Sequence, residues 1–193
     1  WNGWGDESTS MDLPQSAGTF LSQLVGQGKR LSDVSLAEVI KTVPQTRLTA
    51  QPLISIDAEQ RVRHAKGQSL PDWLAMHSGE IHCFPDGVCF PENCQDVKDI
   101  LRYAKAHNVE LIPYGGGTSV VGHINPKVSE RAVLTVNMSR MNQLLHLDEQ
   151  SQIATFGAGT PGPMVEAQLL ARGYTLGHFP QSFELSTIGG WVA

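Results

Sequence analysis

The chain has 193 residues, 40% of them hydrophobic and 17% charged, with a formal net charge of -5, which is enough apolar side chain for one domain, or a domain with an appendage, to build a core. An acidic balance without any run of Lys or Arg argues against nucleic acid or an anionic membrane surface as the main partner. No stretch nears the roughly eighteen apolar residues of a membrane span and no signal-peptide core opens the chain, so the expected location is the cytoplasm.

Taken in order, residues 1 to about 80 show little strand patterning. Phe20, Leu21, Leu24 and Val25 follow Leu13-Pro14 at helical spacing and stop at Gly26 and Gly28. Ser35 precedes Leu36, Val39 and Ile40, with Glu38 placed to close a capping box. Two short helices are expected, their apolar faces packed on the rest of the protein. Pro52 to Trp73, which holds Asp57, Arg61, Arg63, His64 and Lys66, reads as an irregular polar connector on the surface.

From Pro85 strands and helices alternate. Gly87-Val88-Cys89-Phe90 is a short strand halted by Pro91, and Asn93 caps a helix with Val97, Ile100, Leu101 and Ala104 on one face. The chain returns as strand Glu110 to Tyr114, completing a βαβ unit. Ala132 to Val136 and Gln152 to Phe156 are further strands, with Met138 to Asp148 as a connector between them. Gly157 to Pro163 then turns into a helix from Met164 to Arg172, stopped by Gly173. Cys83, Cys89 and Cys94 are odd in number and lack Cys-x-x-Cys pairing, and His82 is awkwardly adjacent to Cys83, so reduced thiols are expected and no metal site.

Gly115-Gly116-Gly117-Thr118-Ser119 comes directly off the third of these elements. Three glycines at a strand end expose a row of backbone N–H groups and let an anion approach them closely. The lysine of a Walker A loop is missing, which argues against a nucleoside triphosphatase. What remains is a site for a diphosphate-bearing cofactor, or an ordinary glycine-rich turn. Gly157-Ala158-Gly159-Thr160-Pro161-Gly162 competes by matching G-x-G-x-x-G between a strand and a helix. Pro161 and Pro163 remove two N–H groups there, and Glu184 comes late for the acidic partner, so a tight turn is favoured over a nicotinamide site. A second loop, from His178 to Gly190, is rich in hydroxyls and backbone donors. Alone it is only a loop; paired with the first it would complete a diphosphate or flavin site.

Pro113 to Val120, followed by Pro180-Gln181-Ser182-Phe183-Glu184-Leu185-Ser186-Thr187-Ile188-Gly189-Gly190-Trp191, resembles the paired FAD-binding loops of vanillyl-alcohol-oxidase type flavoproteins. Within that superfamily the chain is most similar to the alkyldihydroxyacetonephosphate synthase branch: Trp1-Asn2-Gly3-Trp4-Gly5 is similar to its opening, and Arg63-His64-Ala65-Lys66-Gly67 resembles its segment before the flavin domain. The resemblance implies an α+β fold: a PCMH-type FAD-binding domain, with a βαβ subdomain and the start of a second, over residues 81–193. Residues 1–80 would be a helical extension and connector.

By the same resemblance, Pro113, Tyr114, Gly115, Gly116, Gly117, Thr118 and Ser119 would hold the FAD pyrophosphate, while Gln181, Ser182, Phe183, Ser186, Thr187, Gly189 and Gly190 approach from the second half. Thr118 stands where covalently flavinylated relatives carry histidine, which implies noncovalent FAD. Gln181 departs from a family aspartate and His123 from a family glycine. His64, His77, His107, His123, His146 and His178 read as structural, with His178 the best exception because it adjoins the second loop. The implied activity is exchange of the acyl group of acyl-dihydroxyacetone phosphate for a long-chain alcohol. Alternatives are an FAD-dependent oxidoreductase of D-2-hydroxy acids and a cofactor-free interaction module. A chain opening on Trp1 and stopping in an apolar segment is expected to be an N-terminal piece, inactive alone. Its catalytic residues and a domain for a small-molecule or lipid substrate would lie beyond Ala193. The full-length protein would form a homodimer, peroxisomal where a eukaryotic targeting signal is present.

Overall fold

The computed structural model describes Trp1, Ser8, residues 12–28 and residues 33–193. Asn2, Gly3, Trp4 and Gly5 of the opening segment therefore lie outside the described residues. Helix α1 (Gln15–Val25) ends where Gly26 takes a φ of 83°. None of its residues is buried, and Phe20, Leu21, Leu24 and Val25 remain exposed, contrary to the expected packing. Helical spacing specifies an apolar face but not a partner for it.

Helix α2 (Leu36–Ile40) starts with the expected box: the Ser35 hydroxyl accepts from the Glu38 N–H, and the Glu38 carboxylate accepts from the Ser35 N–H. Val39 from α2 joins Val62, Ala65, Met76 and Ile81 in a small core, around which lie α3 (Ala58–Arg63) and α4 (Leu70–Ser78). The 52–73 segment is thus not a surface connector. Arg61, Val62, His64, Ala65, Gly67 and Asp72 are all buried. Polar groups can be buried when their hydrogen bonds are met, and Arg61 meets this condition by donating from Nε to Pro85 O (2.6 Å) and from Nη1 to Pro44 O (2.8 Å).

The main sheet has the order β1-β2-β4-β3, from β1 (Ile54–Ser55), β2 (Gly87–Cys89), β3 (Glu110–Tyr114) and β4 (Val133–Asn137). β1 pairs antiparallel with β2; the other neighbours are parallel. All five residues of β4 are buried, as a central parallel strand requires. Helix α5 (Cys94–His107) connects β2 to β3, with β4 inserted between the two strands. The Asn93 side chain accepts from the Gln95 and Asp96 N–H groups at its start, and Asn108 ends it with a φ of 52°. Ile100 and Ala104 pack with Leu48, Ile54, Cys89, Val109, Leu134 and Val136 in the larger core.

Beyond β4, the expected connector contains a strand of its own. β5 (Leu144–Asp148) pairs antiparallel with β6 (Ile153–Phe156). The Leu144-Leu145-His146-Leu147-Asp148 segment lacks clean apolar alternation because both of its faces are partly exposed. Helix α6 (Gly162–Leu170) follows, with Gly173 at a φ of 81° just past its end, and α7 (Ile188–Val192) closes the described chain.

Candidate functional site

The parallel register aligns Pro113 with Val136 and Tyr114 with Asn137, so β3 and β4 end together and β3 discharges into Gly115. A cleft of about 950 Å³ opens there, near the upper end of the range for small-molecule sites. Val97, Ile100 and Leu101 of α5, together with Leu111, Ile112, Val136 and Met138, make its apolar wall. The glycine loop and the second loop make its polar end.

These two loops touch. A Cβ on Gly115 would fall on the Thr187 hydroxyl, and one on Gly116 on the Leu185 carbonyl. Gly117, at a φ of 71°, lies under the Tyr114 hydroxyl. Contact with the second loop therefore already demands glycine at both positions, through the Thr187 side chain at 115 and through main chain at 116. Among the described residues, the N–H groups of Gly115 to Ser119 have no hydrogen-bond acceptor. Buried Thr187 (5% exposed) lines the same cleft, and its side chain does not cap α7. Ser186 Oγ accepts from Trp191 Nε1 (2.8 Å), which leaves the serine proton available to the cleft. Unspent N–H and O–H donors around a large cleft suit an anionic, diphosphate-bearing ligand.

The competing Gly157 turn is different. Gly157 N donates to Gln143 O and Gly159 N to Met141 O, both at 2.9 Å. A Cβ at 157, 159 or 162 would strike Met141, Met138 or Phe183, respectively. Its glycines serve packing inside the protein, its amides are used, and of residues 157–162 only Ala158 reaches the cleft.

Beneath Tyr114 lies His64, whose ring centroid is 4.6 Å from the tyrosine ring and 5.8 Å from that of Phe90. His64 Nδ1 donates to Gln60 O (2.7 Å), and Nε2 accepts from Asn137 Nδ2 (2.8 Å), a tautomer assigned from the partners. Burial, reinforced by Arg63 and opposed by the Gln60 bond, holds the imidazole below its ordinary pKa. Burial also pushes the Tyr114 hydroxyl up to about 12, so the tyrosine is neutral. Both are props for the strand end.

The cleft brings together Pro113, Tyr114, Gly115, Gly116, Gly117, Thr118 and Ser119 with Gln181, Ser186, Thr187, Gly189 and Gly190. It does not include Ser182 or Phe183. Ser182 has a φ of 62°, and its carbonyl accepts from the N–H groups of Leu185 and Ser186. Phe183 sits on Gly162 and stacks on Trp191, with centroids 6.3 Å apart. Gly189 and Gly190 belong to α7 rather than to a loop. Trp191, Met138, His123 and the α5 face line the cleft although the sequence reading did not place them there. Trp191 directly follows the glycine pair, whereas the α5 residues carried only a core-like signal. His178 contacts the Trp191 ring edge at 5.6 Å. Burial pushes the Cys89 thiol up to about 12, and among the described residues no group of three or more His, Cys, Asp or Glu could hold a metal.

The model of the FAD binding domain matches residues 85–193. An alkyldihydroxyacetonephosphate synthase from Trypanosoma brucei brucei is 39% identical over 142 residues, covering 72% of this chain and 23% of that protein. One from Dictyostelium discoideum is 32% identical over 229 residues, covering 100% of this chain and 38% of the relative. A solved alkyldihydroxyacetonephosphate synthase superposes with a TM-score of 0.86 at 28% identity, over 99% of this chain and 42% of its own. The chain thus spans well under half the length of these relatives. With the cleft's free donors and the family match in agreement, the chain belongs to the FAD binding domain family, has FAD as its cofactor, and is similar along its whole length to alkyldihydroxyacetonephosphate synthases.

Proposed function

We propose that this chain is the FAD-binding portion of a flavoenzyme that makes ether lipids. A long-chain alcohol would replace the acyl group of acyl-dihydroxyacetone phosphate, releasing the fatty acid. Pro113 and Tyr114 lead into the amides of Gly115, Gly116, Gly117, Thr118 and Ser119, which cradle the diphosphate. Gln181, Ser182, Phe183, Ser186, Thr187, Gly189 and Gly190 form the opposite side, with Ser182 and Phe183 acting through the shape of the second loop. Attachment is noncovalent, since Thr118 has no imidazole. Bound FAD supplies the electron-accepting chemistry that side chains lack; this chain orients it and excludes water.

The observation that carries this reading is the contact between the two glycine-bearing loops across one cleft with unspent donors. The family match starts at residue 85, which supports a division into a 1–80 extension and an 81–193 FAD-binding domain, although β1 reaches across that boundary into the sheet. The substrate site belongs to sequence outside this chain, and a homodimer of the full-length protein is part of the proposal. Among the described residues no helix is long and apolar enough to cross a membrane; location in the cytoplasm, or in peroxisomes where a targeting signal is present, is part of the proposal. The test is made on full-length protein, which should carry FAD and incorporate a labelled long-chain alcohol with release of fatty acid. Anaerobic bleaching of the flavin by D-lactate or glycolate, without exchange, would replace this reading with D-2-hydroxy-acid oxidation.

A further inference from the structure

The segment read from sequence as a connector is wired to the end of the glycine loop. Gln68 N donates to Ser119 O (2.7 Å), and a Cβ on Gly67 would strike that same carbonyl. Gly67 N donates to Asn125 Oδ1 (2.9 Å), and Asn125 Nδ2 donates to Asp72 Oδ1 (2.6 Å). Asp72 is 3% exposed. Its other oxygen accepts from Ser69 N (3.2 Å) and Ser69 Oγ (2.6 Å) in the α4 capping box, and Lys66 Nζ stands 3.8 Å from Oδ1.

The direction of this relay is forced. A carboxylate only accepts, so Asn125 must turn its NH₂ to Asp72 and its carbonyl to the Gly67 N–H. Asn125 also closes the turn through Gly122, N to O at 3.1 Å, which sets His123 and Ile124 on the cleft wall.

We propose that Asp72 and Asn125 are positioning residues for FAD: they lock Gly67 and Gln68 against the Ser119 carbonyl and so hold the glycine loop in its binding geometry. This rests on the reading that the cleft binds FAD. Asp72 lies outside the matched residues 85–193, so the relay makes the N-terminal segment part of the cofactor site.

The test is an exchange of donor and acceptor in the full-length protein. Asn125→Asp sets two carboxylates face to face and is expected to weaken FAD binding at least roughly tenfold. Asp72→Asn alone leaves one N–H opposed to another and should also weaken binding. Combining the two restores the bond between positions 72 and 125 with its polarity reversed, while the Gly67 and Ser69 N–H groups keep their acceptors, and the dissociation constant should return to within roughly threefold of the parent. Flavin fluorescence titration is run below the melting temperature of each apoprotein. A merely structural relay would lower melting temperatures and leave the constant of the folded protein unchanged, and that result overturns the proposal. Failure of the folded double variant to recover also overturns it. Should Asn125→Asp not fold, Asp72→Asn against the double variant gives the same decision. A parent protein that takes up no FAD refutes the cofactor reading instead.

Discussion

A single methyl group at Gly116 probes the contact on which the site is built. In Gly116→Ala, the new Cβ would lie 2.6 Å from Leu185 C and 3.3 Å from Ser186 N, where ordinary contact begins at 3.4 Å. Both atoms are backbone, as is the still nearer Leu185 carbonyl oxygen, so no rotamer relieves the clash, and the two loops must part by roughly 1.5 Å. The apoprotein can relax by opening the loops, while FAD binding must close them again, so the strain falls on binding. Overpacking of this kind costs about 1–3 kcal/mol, which corresponds to roughly 5- to 150-fold weaker FAD. Flavin fluorescence titration of full-length protein measures the constant, with Gly18→Ala as the control. Gly18 sits in exposed α1 with nothing within 4 Å of its added Cβ; it should leave FAD affinity unchanged and stabilise the helix by up to about 1 kcal/mol. Parent-like FAD affinity in Gly116→Ala would refute the two-loop geometry.

Asp86→Ala removes a carboxylate that accepts from Arg47 N, Nε and Nη2 and from Val133 N at 2.7–3.0 Å. With the Arg47 side chain 45% exposed, the loss should sit near the lower end for a broken buried pair, about 3 kcal/mol by urea titration. Burial raises the Asp86 pKa, but the bonds from Arg47 and Val133 outweigh it and hold the carboxyl low. Its stabilisation is therefore complete above the ordinary value of 3.8 and is lost as pH falls through the lower folded-state pKa. For His64, kept neutral by burial, the unfolded chain binds the proton more readily. Stability should fall as pH drops below the ordinary value of 6.5, and this slope should vanish in His64→Gln on a melting-temperature profile. Trp191→Phe deletes the N–H that orients Ser186; FAD should bind roughly threefold to tenfold more weakly, with the aromatic packing kept.

Features set by neighbouring residues were legible before any fold was known. The Ser35–Glu38 box, the Asn93 cap and the Gly173 stop all formed as their local chemistry requires. The glycine loop was legible because an apolar strand delivers it. Features set by distant partners were not. Arg61, His64 and Asp72 look like solvent-facing side chains until Pro85, Asn137 and Asn125 supply their hydrogen bonds. β5 could not be seen without its pairing to β6.

By itself the sequence determined the loops, caps and alternation, because each depends on conformational preferences acting within a few residues. It also set two glycine-rich segments as rivals for one ligand. Pro161 and Pro163 already favoured a tight turn at Gly157, and the tertiary structure supplied what sequence could not: the Gly157 turn spends its amides on Gln143 and Met141, whereas Gly115 to Ser119 keep theirs free beside Thr187. A hydrogen bond is an account between two groups, and a chain read from one end to the other shows only one of them.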